Sequence, residues 1–454
     1  MSIRVGFGEV DITPDRPAPL IGFYREDDTS KGVMRPLLAQ VSVWEDTERC
    51  ALITIDSIGF TTGLSAILRD KVGDRLSINR EKVMICFSHT HAAPDAEAMD
   101  GYFDFVCEKV LAAVDVAARN MEPVAVRYGN AKSEIGVNRR IGNNNVDDRL
   151  GIIELSKKIS DKADTEGRNI SASTDRKLII LRLTAHCNCL KADNYLISPD
   201  YFGNVRETLQ RKYNCHVMLI QGAAGNIAPK YFCSKNTPVD AQGPQYVRSE
   251  NALQLMADNI SEKLDTLDET DNGILRALND DMHIRMYSCE LLLRSRVPSQ
   301  KEAESIAADA KRECHIDGTA WLAEIKRLNE QQITYQEDKA EVQYFEIGEL
   351  CLCGMAYELM TEFAISAAKK LDNEYFYLNG YTNGILSYFP TKEEYDIGGY
   401  EVYWSLLIYF KSFNRLFPFD REEADRVVTD AINKLAKLVL PQNEEEMNDD
   451  YGNS

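Results

Sequence analysis

The sequence predicts an α/β fold of mixed β-sheets with surrounding helices, and three observations carry that prediction. Short apolar runs recur along the chain, each closing on a polar loop or turn that often holds Gly or His. Between them stand stretches with apolar residues at 3–4 spacing, as in helices that bury one face. No internal repeat interrupts the alternation, so strands and helices are expected to layer around a shared core.

Taken in order, residues 83–87 (VMICF) run into Ser88-His89-Thr90-His91, and residues 178–183 (LIILRL) run toward His186. Residues 217–220 (VMLI) enter the Gly-rich QGAAGNIAP, residues 350–355 (LCLCGM) precede Glu358, and residues 375–378 precede Asn379-Gly380-Tyr381-Thr382-Asn383-Gly384. Each run is long enough for a buried strand. In α/β sheets ligands gather just beyond the carboxyl ends of strands, where these polar residues fall. Helices are expected over 249–267, where Leu253, Met256, Ile260, Leu264 and Leu267 share a face, and over 300–312 and 320–330. Glu358 is read as opening an amphipathic helix (ELMTEFAISAAKKL), where a carboxylate suits the helix dipole. The polar stretch 157–177 reads as a hairpin or loop, and the charge-rich span 298–332 as a helical excursion. The expected organisation is one domain over 1–440 and an acidic, disordered tail over 441–454.

Composition narrows the partners. With 52 Lys and Arg against 72 Asp and Glu the formal charge is −20, of which the five acids of the tail supply −5. Nucleic acid and anionic membrane surfaces call for a basic footprint, so neither is expected. No apolar run is long enough to span a bilayer, and the N-terminal MSIRVGFGEVDITP has no apolar signal region, so a cytoplasmic protein without stable membrane insertion is expected. The eleven cysteines are odd in number, and Cys86, Cys351 and Cys353 sit in strand-like runs, so they are read as reduced.

Only six histidines occur: His89, His91, His186, His216, His283 and His315. His89 and His91 follow a strand as His-x-His. In extended backbone residues i and i+2 project to one side, so both rings can reach one ion or one substrate. Zinc favours imidazole nitrogen, and a catalytic site needs three protein ligands and an open position. Two polar loop histidines would explain the pattern equally well. His186 is followed by Cys187 and Cys189, but the chain has no matching CxxC elsewhere, and two side chains on one face of an extended segment is the simpler account. The Gly-rich turn after residue 220 can aim backbone N–H groups at an anion or oxyanion, or be no more than a tight turn.

In this order the segments resemble the neutral/alkaline non-lysosomal ceramidase family, from about Val5 to Tyr403. The resemblance rests on Gly6…Asp11-Ile12-Thr13-Pro14, His89-Thr90-His91-Ala92-Ala93-Pro94 and Asn138-Arg139-Arg140. It continues in His186 with Ile197-Ser198-Pro199-Asp200-Tyr201-Phe202-Gly203, then Glu358, Gly380-Tyr381-Thr382-Asn383, Tyr388 and Thr391-Lys392-Glu393-Glu394-Tyr395. It implies a neutral-ceramidase-like catalytic domain with one Zn2+ held by His89, His186, Glu358 and Tyr388. It further implies His91 as proton shuttle, Arg139 and Asn383 as groups that position substrate or steady an oxyanion, and Tyr395 as a supporting hydroxyl.

Two departures qualify the resemblance. Where related ceramidases carry Gly-Asp-Val-Ser-Pro this chain reads Gly225-Asn226-Ile227-Ala228-Pro229, so that serine is absent and either the chemistry runs wholly through a metal-activated water or the activity is lost. Tyr357 replaces a small residue and is expected to reshape the pocket. Without an apolar membrane-facing segment the substrate is expected to be a small, soluble N-acyl amide rather than ceramide. The alternatives are a zinc esterase, lactonase or peptidase on the same site, or a non-catalytic ligand-binding relative.

Overall fold

The computed structural model describes residues 3–140, 142–158, 176–237, 245–270, 275–279 and 283–439. The acidic tail lies outside the described residues, as does most of the polar stretch expected to form a hairpin or loop.

A large mixed sheet is assembled from β1 (Arg4–Asp11), β2 (Leu38–Glu45), β3 (Arg49–Ile55), β4 (Val83–Phe87), β5 (Glu122–Lys132), β7 (Arg149–Lys157), β8 (Arg176–Leu183) and β9 (His216–Gln221). Its spatial order is β4-β3-β2-β1-β5-β7-β8-β9. The β3/β4 and β8/β9 pairs are parallel, and the other neighbours along the order are antiparallel. The parallel pairs at the two ends of the sheet carry the expected histidines. One face is covered by α1 (Thr62–Leu76), α2 (Tyr102–Arg119), α3 (Tyr201–Tyr213) and α4 (Ala252–Thr270), whose apolar residues join the sheet's inward ones in one core.

Short strands fill the loops beyond this sheet. Among them β10 (Ile227–Pro229) pairs with β6 (Gly136–Asn138), β11 (Tyr231–Phe232) with β12 (Val247–Arg248), and β13 (Arg276–Ala277) with β5. A second sheet, in order β14 (Ile284–Arg296), β15 (Tyr335–Ile347), β16 (Leu350–Gly354) and β18 (Phe376–Asn379), packs on the other face of the first. Met84, Ile153, Ile180 and Met218 of the first sheet meet Met286, Phe345, Leu352 and Tyr377 of the second in that layer. On the far side of the second sheet lie α7 (Thr361–Leu371) and α10 (Arg421–Val439), giving helix–sheet–sheet–helix layering.

The span 298–332 holds α5 (Gln300–Cys314) and α6 (Thr319–Glu330). Trp321 of α6 is buried and donates its indole N–H to the Leu416 carbonyl at 2.8 Å, and Ala303, Ala307 and Ile325 pack with Leu407 and Phe410. This small core supports α9 (Ser405–Phe413), which follows the short α8 (Glu394–Ile397) and a single wide turn at Tyr400–Trp404.

One local expectation is corrected. Glu358 does not open a helix: β17 (Glu358–Leu359) pairs in parallel with β19 (Tyr388–Phe389), and α7 begins three residues later. Pairing with Tyr388 holds Glu358 extended, so its carboxylate is placed by a strand and not by a helix dipole. Among the described residues, no helix is long and apolar enough to cross a membrane.

Candidate metal centre

Three of the six histidines meet. The nearest ligand atoms of His89, His91 and His186 lie within 4.8 Å of one another, and all three residues are buried. His89 and His91 stand beyond β4, His186 beyond β8, and so the two outer ends of the large sheet converge here. The two His-x-His rings do not meet by strand alternation. His89 adopts a left-handed backbone (φ 61°), and the rings of His89 and His91 make an edge contact at 5.0 Å. The other histidines are elsewhere: His216 stacks on Phe7, His283 meets Asp46, and His315 caps α5.

The backbone fixes both outer rings. His89 Nδ1 lies 2.7 Å from the Ile58 carbonyl and His186 Nδ1 lies 2.7 Å from the Ala224 carbonyl. A carbonyl can only accept, so each Nδ1 carries a proton and Nε2 is the nitrogen left to face the site. Both Nε2 atoms face one carboxylate oxygen, Glu358 Oε2, at 3.4 Å from His89 and 3.2 Å from His186. Burial and nearby Arg139 lower His186 to about 4, so near neutral pH it brings no second proton. Burial would raise the Glu358 carboxyl, yet the facing imidazoles hold it well below the usual carboxylate range. Two ring nitrogens and a carboxylate oxygen at such distances can share one cation, and the N,N,O donor set suits zinc. The residues therefore fit a metal ion. His91 is held neutral, lowered well below its ordinary value by burial and by His89 and His186, and neither of its ring nitrogens has a hydrogen-bond partner.

Around this cluster the supports are specific. Tyr381 packs against His89 in a tilted ring contact at 4.4 Å, and its hydroxyl donates to Glu358 Oε2 at 3.3 Å. Tyr388, the β-partner of Glu358, lies parallel to the His186 ring at 6.5 Å and accepts from Arg139 Nη2 at 3.2 Å. The other bond of that nitrogen goes to the Gly225 carbonyl at 2.6 Å. Arg139 Nε lies 2.9 Å from Glu401 but is not aligned for a hydrogen bond, so that contact is an ion pair only. Gln221, at the end of β9, ties the two histidine segments together: its Nε2 donates to Ser88 O at 3.2 Å and to Ala185 O at 2.8 Å. The loop that receives His89 is anchored by Asp56, which Arg206 of α3 grips with two 2.9 Å bonds.

The Gly-rich turn works with the opposite polarity from the one expected. Two of its carbonyls face the site, Ala224 O toward the His186 ring and Gly225 O toward the Arg139 guanidinium, while Asn226 O takes the Arg139 backbone N–H. Its N–H groups at Gly222, Gly225 and Ile227 are spent on Leu183 O, Leu359 O and Ala224 O. Inward carbonyls favour protonated nitrogens and cations, not an oxyanion. Gly225 is needed for approach: a Cβ there would lie 2.4 Å from the Glu358 carbonyl. Asn226 accepts from the Thr361 N–H at 2.8 Å and donates to Glu362 at 2.9 Å, which steadies the start of α7 just beyond Glu358.

Comparison with models of known protein families and with curated proteins gave no match. Solved structures did match. The neutral ceramidase from Pseudomonas aeruginosa superposes with a TM-score of 0.63 at 16% identity, over 88% of this chain and 70% of its own. The chain has the neutral ceramidase fold. A ceramidase complexed with C2 superposes with a TM-score of 0.65 at 15% identity, over 96% of this chain and 76% of its own. The ceramidase-like motifs read from the sequence thus lie on a ceramidase-like scaffold.

Within that fold the motif residues separate into two groups. His89, His91, His186, Glu358, Tyr388 and Arg139 come together. Asn383 does not face them: its Oδ1 accepts from the Ile85 N–H at 2.9 Å, and its Nδ2 donates to Gln343 and Glu341, so its amide clamps β4. Tyr395 also stands apart, its hydroxyl donated to the Phe419 carbonyl. Tyr357 turns away from the histidines, donates to Asp338 at 2.7 Å and packs on Phe389 and Phe419, so it does not reshape the cavity. Ala228 packs with Phe232 and Tyr246. The sequence reading missed the roles of Tyr381, Gln221 and the Asp56–Arg206 pair, of which Tyr381 and Gln221 lay inside quoted motifs.

Proposed function

We propose that this chain is a zinc-dependent hydrolase of an N-acyl amide bond, acting on a small, soluble substrate. The observation that carries the reading is the convergence of His89 Nε2 and His186 Nε2 on one carboxylate oxygen, Glu358 Oε2, at 3.4 and 3.2 Å. His89, His186, Glu358 and Tyr388 would hold the metal. Zinc, when bound, supplies Lewis acidity and an acidified water, which answers the absence of a serine at Ala228.

The remaining chemistry belongs to side chains. His91 is neutral and has both ring nitrogens unspent, so it can take a proton from the attacking water and return it to the leaving amine. Arg139 grips the Tyr388 hydroxyl and is itself held by the Gly-rich turn, so its role is to orient Tyr388. The adjoining cavity of about 170 Å³ is walled partly by Ile21, Ile58, Phe60 and Ile385, enough for a short acyl group beside His89 and Glu358. That volume is below the roughly 300–1,000 Å³ of drug-sized ligand sites, which supports a small substrate over a long-chain lipid amide.

The test is elemental analysis of the purified protein beside a His186→Ala/Glu358→Ala double variant, followed by hydrolysis assays on short N-acyl amides and matched esters. The expected result is about one zinc per chain, lost in the double variant, with amide turnover that depends on it. Metal content unaffected by the double variant, or turnover of esters alone, overturns the reading.

A further inference from the structure

The helix that walls the cavity carries one hydroxyl with nothing to bind. Tyr400–Trp404 form a wide turn in which the Ser405 N–H donates to the Tyr400 carbonyl, five residues back. Single turns of this kind are frequent at functional sites. From there α9 presents Ser405, Tyr409, Ser412 and Phe413 along one face, at helical spacing, to the cavity that also holds His89 and Glu358. Tyr409 and Tyr400 pair with each other. Ser405 is 2% exposed, and its Oγ has no hydrogen-bond partner. A helical serine ordinarily returns its hydroxyl to the carbonyl four residues back, and the wide turn leaves this one unspent.

The charges on the cavity wall restrict what could meet that hydroxyl. Asp95 and Glu97 line it together with Glu358, and among the described residues no Lys or Arg does. Away from the metal, a carboxylate or phosphate on the amine half of the substrate would find no counter-charge on the cavity wall, whereas a hydroxyl or ammonium would find acceptors. We propose that Ser405 is a specificity-determining residue that accepts a hydrogen bond from a donor group on the amine half of a small, non-anionic amide. The inference deepens the amide-hydrolase reading and rests on it.

The test uses three probes sharing a butanoyl group: N-butanoyl-ethanolamine, N-butanoyl-propylamine, which replaces the hydroxyl with a methyl, and N-butanoyl-glycine. Each is measured with zinc-loaded wild type and Ser405→Ala, by kcat/KM and by calorimetric binding. The wild type should favour the ethanolamide over the propylamide by roughly tenfold, with the glycine conjugate last, because a buried acceptor is left unpaired by the methyl. In Ser405→Ala the ratio should fall to about one. Thermal unfolding of Ser405→Ala should occur at the wild-type temperature or above it, since no bond within the fold is removed. A ratio that survives in the variant, a preference for the carboxylate probe, or a lowered unfolding temperature overturns the proposal. Should no probe turn over, the hydrolase reading fails, and the same ratio in the binding constants decides the role of Ser405. Absence of binding by all three overturns it.

Discussion

Replacing Gln221 with Leu should damage the metal centre without touching a ligand. The Gln221 carboxamide is buried between the two segments that end in His89 and His186, bonded to Ser88 O, Ala185 O and, through Oε1, to the Ala185 N–H at 3.3 Å. Leu keeps the bulk and removes all three bonds. Ala185 O retains the Tyr201 hydroxyl at 2.7 Å, so the groups left without a partner are Ser88 O and the Ala185 N–H. At about 1–3 kcal/mol for each of the two buried unpaired groups, the loss of stability should be roughly 2–6 kcal/mol. Freed from this tie, the histidine segments can shift, and a residue that orients ligands typically changes metal affinity by about 10–100-fold. Urea unfolding reads the first quantity and competition with a chromophoric zinc chelator reads the second. Gln40→Leu is the control, because Gln40 is also buried and bonded to Val217 O and Glu9 but touches neither histidine segment. If Gln221→Leu loses stability as Gln40→Leu does, yet binds zinc within about threefold of wild type, the argument that Gln221 sets the spacing is wrong.

Gly225→Ala should cost about 1–3 kcal/mol and reduce zinc content, because the new Cβ would meet the Glu358 carbonyl at 2.4 Å; unfolding and elemental analysis report on both. Tyr395→Phe should keep full zinc content and lose about 1 kcal/mol, from the single bond to the Phe419 carbonyl, and loss of metal would restore Tyr395 to the site. The chelated protein should weaken as pH falls. His186 is lowered in the folded state to about 4 from an ordinary 6.5, so between these values the unfolded chain holds a proton that the folded chain refuses. Stability is then present above about 6.5 and is lost by up to roughly 3 kcal/mol on going down to pH 4, as urea titrations at the two ends would show. Zinc loading should shift that loss to lower pH, because a bound ion holds His186 unprotonated.

Much of this was legible in the chain itself. The strand runs ending before His89 and His186 were plain because strands buried on both faces read as continuous apolar stretches. Two histidines beyond different strands could be suspected of meeting, but only the resemblance to the ceramidases joined them to Glu358 and Tyr388. Order along a motif did not reveal where side chains point. Tyr381 and Asn383 both adopt left-handed backbone, at φ 55° and 58°, which breaks the alternation a reader would assume and sends Tyr381 to Glu358 and Asn383 to β4. The Gly-rich turn was visible, but whether its amides or its carbonyls face inward depends on pairings with β8 and β17 that no local pattern encodes. Gln221 read as the first residue of the Gly-rich turn, and its two acceptors, Ser88 O and Ala185 O, belong to segments far from it in sequence.

The tie between the outer ends of the large sheet also bears on how the protein is made. Neither end of the large sheet holds a complete donor set, and the last donors, Glu358 and Tyr388, arrive on β17 and β19, short strands that follow β16 and β18 of the second sheet. Contacts between segments so remote in sequence form slowly, since loop closure precedes any gain from pairing. An ion could thus be captured only by a chain that has already docked both sheets, and the rate of metal uptake during refolding would time that docking.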